Sequence, residues 1–272
     1  MDVFNLIAFM SNCFLIFLNS ASASLDSISP SESLPDGQTL VSADGSFELR
    51  FFNPGSSRNR QQPINDSSGL LTVKKTGELQ LLTQDLAAVW LDNLTREARN
   101  PILQLLNSGN LVLIDLSDGI SGTYWWQSFD YPSDTLLLGM KMGWDLRTGH
   151  EQCLTAWKNS DDPSPGDVSR GIELHGTPEL VMRKGSQEYY KAGPYNGQRF
   201  SGTEISRPNP VAVAIFVFNE KDLYTSYCLK NKSLISRVFL NQTDYTTQRY
   251  IWSEDTQTWN LYSYMPRDFC DT

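Results

Sequence analysis

Three segments of this chain repeat one short pattern: Gly45-Ser46-Phe47-Glu48-Leu49-Arg50-Phe51, Gly77-Glu78-Leu79-Gln80-Leu81-Leu82 and Gly109-Asn110-Leu111-Val112-Leu113-Ile114. Each opens with glycine and then alternates apolar with other residues, the period of a strand that buries one face. The second and third run on to a tryptophan, at Trp90 and Trp125. A β-unit used several times packs against its own copies around a shared core. Helical signals are meagre: residues 94–98 have room for a turn or two before Asn100-Pro101 stops them.

A second pattern starts at Leu154-Thr155-Ala156-Trp157, followed by a turn-rich run from Asp161 to Asp167. Strand-like runs then fall at 168–174, 179–183, 211–218, 223–229 and 234–240, with Tyr250-Ile251-Trp252 and residues 258–264 after them. Short strands at near-regular spacing with Gly, Pro and Asn turns read as a second all-β unit. The boundary is placed near Thr148-Gly149-His150, giving domains over 24–149 and 150–268.

Composition excludes several classes. The formal charge of −9 argues against a nucleic-acid surface, which needs clustered Lys and Arg. Residues 3–18 are mostly apolar and are followed by Ala21-Ser22-Ala23, a small-x-small cleavage pattern, so residues 1–23 read as a signal peptide despite Asp2 and the lack of an early Lys or Arg. No later stretch is long and apolar enough to span a membrane. Asn65, Asn93, Asn231 and Asn241 each head an N-x-Ser/Thr triplet, which agrees with a secretory route and marks surface segments. Past the signal, three cysteines remain: Cys153, Cys228 and Cys270. An odd number leaves at least one unpaired, assigned to Cys270; Cys153 and Cys228 either pair or are two buried thiols, and the second reading is preferred.

The run Trp125-Trp126-Gln127-Ser128-Phe129-Asp130-Tyr131-Pro132-Ser133-Asp134-Thr135-Leu136-Leu137-Leu138-Gly139-Met140-Lys141-Met142-Gly143-Trp144-Asp145 resembles the extracellular part of plant S-domain (G-type lectin) receptor-like kinases and S-locus glycoproteins. Residues 35–42 and 47–55 are similar to the start of that family's bulb-type lectin domain. Tyr190 to Gly202 resembles its S-locus glycoprotein signature, with Tyr195 where tryptophan is usual. Residues 262–271 resemble the junction into an EGF-like module, of which 269–272 would be a stub. The resemblance implies an all-β fold of two tandem bulb-lectin-like β-prism domains. It also implies recognition at the cell surface, of pollen in self-incompatibility or of microbial or peptide ligands in defence, with a protein, peptide or co-receptor as partner and a glycan as a weaker candidate.

Three departures limit the transfer. After Arg60 the family pattern lacks about twenty residues, which would remove roughly two strands from the first domain near residues 60–62 and expose a sheet edge. The mannose pattern Gln-x-Asp-x-Asn-x-Val-x-Tyr is absent at Lys74, Thr76, Glu78, Gln80 and Leu82. At Leu106, Ser108, Asn110, Val112 and Ile114 only Asn110 and Val112 survive. Each lost polar partner removes about 1 kcal/mol, so mannose affinity through these strands is not expected. No Gly-rich loop, His-Arg-Asp loop or Asp-Phe-Gly is present, so no phosphoryl transfer is expected.

No catalytic constellation stands out either. His150 and His175 are the only histidines and lack metal-ligand spacing. Asp130 and Asp134 around Tyr131-Pro132-Ser133 could be imagined as a glycosidase pair, but turn capping is the commoner use. Asp161, Asp162 and Asp167 do not match a calcium loop. No enzyme activity, cofactor or metal is expected. Most of the tryptophans are assigned to cores; Trp125 and Trp126 point to opposite faces of a strand, so one of them is the expected partner contact. The readings that remain are a recognition ectodomain, a mannose-type lectin, and a fragment of a receptor kinase or a non-functional truncated product.

Overall fold

The computed structural model describes residues 25–51, 69–83, 86, 88–91, 98–118, 124–160, 162–197, 199–202 and 209–266. The signal segment, the junction near 60–62, Asn65, Asn93 and Cys270 lie outside them. The chain divides into two compact units, Met1–Tyr131 and Pro132–Thr272.

The first unit carries β1 (Ser27–Ile28), β2 (Ser33–Pro35), β3 (Thr39–Val41), β4 (Glu48–Arg50), β5 (Leu70–Val73), β6 (Leu79–Leu82), β7 (Ala88–Leu91), β8 (Pro101–Leu105), β9 (Leu111–Asp115) and β10 (Trp126–Gln127). They form sheets β1-β8-β9-β10 and β2-β5-β6-β7 and a two-stranded β3-β4. Among the described residues the third sheet thus has two strands and the other two have four each.

The repeat seen in the sequence has a geometric cause. Gly45, Gly77 and Gly109 have φ of 74°, 91° and 82°, the left-handed region that β-carbon sterics deny most residues. Their N–H groups donate to Ser42, Lys74 and Leu106 carbonyls, closing the same turn three times. The strand after each turn sends its apolar positions inward, so Leu49, Leu79, Leu81, Leu111 and Leu113 meet in one core with Leu40, Leu71, Leu103, Leu105 and Trp126. Each such fully buried leucine contributes about 2 kcal/mol.

The second unit carries β11 (Thr135–Leu137), β12 (Met142–Asp145), β13 (His150–Gln152), β14 (Leu154–Asn159), β15 (Asp162–His175), β16 (Thr177–Lys184), β17 (Gln187–Ala192), β18 (Ala212–Phe218), β19 (Asp222–Leu229), β20 (Ser236–Asn241), β21 (Thr246–Ser253) and β22 (Thr258–Met265). Its three sheets, β11-β20-β21-β22, β13-β12-β19-β18 and β14-β15-β16-β17, each have four antiparallel strands. This is the all-β architecture expected for tandem β-prisms.

Two details differ from expectation. The units part between Tyr131 and Pro132 rather than near Gly149, because β11 pairs with β20 and β12 with β19, which commits residues 135–145 to the second unit. The run around Pro163 and Pro165, expected as a turn, lies within the irregular start of β15. The β14–β15 ladder shifts register between Thr155 and Trp157 and again before Asn159, and bulges of this kind are where a strand tolerates proline.

Candidate ligand-binding surfaces

In the turn before β6 and on its first residues, the positions that would hold sugar ligands are tied to each other. Lys74 Nζ stands 2.8 Å from Glu78 Oε2, and Gln80 Nε2 donates to Glu78 Oε1 at 2.9 Å. The Lys74 hydrogen bond holds the Glu78 carboxyl below its usual range against the opposing effect of burial. On β9, Asn110 is buried and both ends of its amide are engaged. Oδ1 accepts from Ser128 Oγ at 3.1 Å and from the Phe129 N–H at 3.2 Å, while Nδ2 donates to Gln127 Oε1 at 3.0 Å. Val112 is wholly buried opposite Gln127 of β10. Asn110 is thus a clamp that fastens β10 and the 3-10 turn Ser128–Asp130 to β9.

Of the two tryptophans expected to include a partner contact, Trp126 is the inward one. Trp126 is 6 % exposed, belongs to the core and stacks on Tyr131 with ring centroids 6.0 Å apart. Trp125 is half-buried against the same core, and its indole N–H donates to Asp118 at 2.9 Å. β10 lies on β9 with Trp126 turned into the core, while Trp125, just before it, stays partly exposed.

Asn231 is exposed, and the Ser233 N–H donates to its Oδ1 at 3.0 Å. At the partly exposed Asn241 the Thr243 N–H donates to Oδ1 at 2.8 Å and Nδ2 reaches Asp244 at 3.4 Å. Each triplet therefore forms an Asx turn with the amide nitrogen toward the surface. The two described thiols are unpaired. Cys228 is exposed, contrary to the buried reading, because Tyr227 and Leu229 occupy the inward side of β19 and leave Cys228 on the outer side opposite Val213. Cys153 is half-buried, and burial, then the Glu151 charge, pushes its thiol pKa up.

The second unit presents two surfaces that alternation alone did not reveal. On the outer face of β20–β22, Arg237 lies over Trp259 at 4.5 Å and over Tyr250 at 5.7 Å, and Trp259 meets Trp252 edge-on at 5.5 Å. Burial lowers the Arg237 pKa, and the Asp134 charge opposes that shift. Leu261 and Tyr264 on the edge strand β22 extend this face and are 51 % and 45 % exposed. Arg, Tyr and Trp are the residue types that anchor protein interfaces. The other surface is β18, an edge strand with no charge, on which Val213, Ile215 and Phe218 are 44 %, 39 % and 51 % exposed. The signal for both was in the sequence: Ala-Val-Ala-Ile-Phe-Val-Phe and Trp-Asn-Leu-Tyr-Ser-Tyr-Met are apolar or aromatic on both strand faces, more than one buried face requires.

Of the acidic candidates, Asp161 lies outside the described residues, while Asp130, Asp134 and Asp162 accept local hydrogen bonds. Gln127 Nε2 donates to Asp130, Thr135 Oγ1 to Asp134 and the Ser164 N–H to Asp162, at 2.9, 2.9 and 3.1 Å. Exposed His175 lies 3.1 Å from Glu173. Among the described residues no cluster of His, Cys, Asp and Glu could hold a metal ion, and no helix is long and apolar enough to cross a membrane.

Residues 58–158 match the D-mannose binding lectin family, and residues 190–272 match the S-locus glycoprotein domain. With two all-β units beneath those matches, the molecule is a tandem lectin-type module. The chain is 36 % identical over 281 residues to the receptor-like serine/threonine-protein kinase SD1-8 of Arabidopsis thaliana, covering 94 % of this chain and 33 % of the kinase. It is 35 % identical over 291 residues to the S-locus-specific glycoprotein S6 of Brassica oleracea, covering 98 % of this chain and 66 % of that glycoprotein. The chain belongs to the family of S-locus glycoproteins and G-type lectin S-receptor-like kinases. It spans a third of the kinase's length, matching the lectin and S-locus portions, and these 272 residues include no kinase domain. Among solved structures, the monomeric mannose-binding lectins of Gastrodia elata align with 63 % of this chain and 98 % of their own at 14 % identity and a TM-score of 0.20.

Proposed function

We propose that this chain is an extracellular recognition module that binds a protein or peptide ligand through its second unit. The observation that carries this reading is the outer face of β20–β22, where Arg237, Tyr250, Trp259, Leu261 and Tyr264 form an aromatic and apolar surface around one guanidinium. Family membership supports a place at the cell surface, with roles in pollen recognition or defence as the biological setting. Glycans on Asn231 and Asn241 fit the same extracellular setting, and Asn65 and Asn93 are further acceptors. Mannose recognition is the weaker reading, because Asn110 and Glu78 are engaged within the protein.

The test is binding of the fluorescently labelled, secreted chain to plant protoplasts, with and without methyl α-mannoside, beside the variant Leu261→Lys/Tyr264→Lys. Saturable binding that ignores the sugar and falls at least tenfold in the variant supports the proposal. Binding abolished by the sugar and retained by the variant returns the molecule to the mannose lectins.

A further inference from the structure

Two arginines project into the interior of the second unit from two of its sheets. On β15, Arg170 stands in one cross-strand row with Leu154, Met182 and Tyr190, which are 1 %, 0 % and 3 % exposed. Its neighbours on the same strand face, Val168 and Ile172, are fully buried. On β21, Arg249 stands opposite Val238 of β20 and points the same way as Thr247 and Val238, into the unit. Its guanidinium lies 4.2 Å from the centre of the Tyr227 ring, contributed by β19 of the remaining sheet, and its Nη1 reaches Ser236 Oγ at 3.3 Å. Thr247 Oγ1 contacts Met182 Sδ at 3.8 Å, which joins the two arginine-bearing sheets one row from the charges. All three sheets of the unit therefore contribute to one cationic interior cluster.

What this cluster lacks is a counter-charge. Among the described residues no carboxylate makes an ion pair with either guanidinium, and Arg170 Nε is buried without a hydrogen-bond partner. Burial, with the like charge of Arg249 adding to it and the two tyrosines Tyr190 and Tyr189 opposing, brings the Arg170 pKa down to about 10, so the group stays charged at neutral pH. Burial likewise lowers Arg249, with Tyr227 opposing. Charges taken out of water are ordinarily paired, and two of one sign within one interior call for an opposite charge. Arg170 as a residue is half-buried, and Ser236 Oγ, which accepts from Arg249, has its own proton left to donate.

We infer that the second unit binds a small inorganic anion inside its prism, bridged between the Arg170 and Arg249 guanidiniums beside Tyr227 and Ser236. The site is separate from the outer face of β20–β22 and does not depend on what that face binds. A planar guanidinium donates two parallel hydrogen bonds to an oxyanion and pairs equally with a halide, so chloride, sulfate and phosphate are the probes.

The experiment is thermal unfolding of the full chain at constant ionic strength, with gluconate as balancing anion, while chloride, sulfate or phosphate is titrated in separately. At least one of them should raise the second unit's melting temperature once it exceeds its dissociation constant, by roughly 2–5 °C for each further tenfold rise. In Arg249→Met the rise should vanish while the melting temperature without anion increases, since the like-charge neighbour is gone; Arg170→Met is the parallel variant should the first fail to fold. As a direct readout, 35Cl line broadening by the wild-type protein should be competed by whichever oxyanion stabilises it. A rise of equal size in both variants would assign the effect to general salt stabilisation and overturn the site. So would the absence of any such logarithmic rise together with the absence of chloride broadening.

Discussion

Asn110 shows how a sugar-binding position can be kept in identity and lost in use. Its amide completes three hydrogen bonds to residues 127–129, so a hydroxyl arriving from solvent finds neither end free. Asn110→Ala leaves the buried Phe129 N–H without its acceptor, a loss of about 2–3 kcal/mol that guanidinium unfolding of the first unit will register. Asp115 makes a pH-dependent contribution beside it. Burial works to raise its pKa, but hydrogen bonds from the Ser117 side chain and from the Arg99, Ser117 and Asn100 N–H groups hold it at about 2. A folded pKa below the unfolded one gives stability that is complete above the unfolded value near 4. That stability is lost as pH falls from there through 2. In Asp115→Asn this acid limb should flatten by about 1–2 kcal/mol between pH 5 and pH 2 in denaturant melts.

At the scale of elements, the alternation after each repeated glycine made the strands and the inward leucines of the first unit legible, because period-two burial is written directly into residue type. Alternation carries no information about what covers a strand's other face. Cys228 was therefore assigned to the wrong side: among the described residues it stays exposed on the outer side of β19. The unpaired arginines were invisible for the same reason, since Arg170 is one charged letter in an apolar row that forms only when four strands register. The free edge β18 carries its own expectation. Ile215→Lys places a charge on an exposed edge strand, which should lower self-association in sedimentation while changing unit stability by less than about 0.5 kcal/mol.

For the whole molecule, the contrast among the described residues between a two-stranded third sheet in one unit and three four-stranded sheets in the other predicts unequal stability. Differential scanning calorimetry should resolve two transitions, the first unit melting at the lower temperature, and Asn110→Ala should move that lower transition alone. A single cooperative transition counts against this reading of the first unit. Which residues set the domain border could not be read from composition, because 135–145 carry turn residues on either side and only their pairing with β19 and β20 assigns them. The outward thiol of Cys228 has a practical consequence: it is a natural attachment point for a maleimide dye, reacting ahead of the half-buried Cys153. In a Cys270→Ser background that dye would sit one strand in from the β18 edge and report, by its emission, anything that adds a strand there.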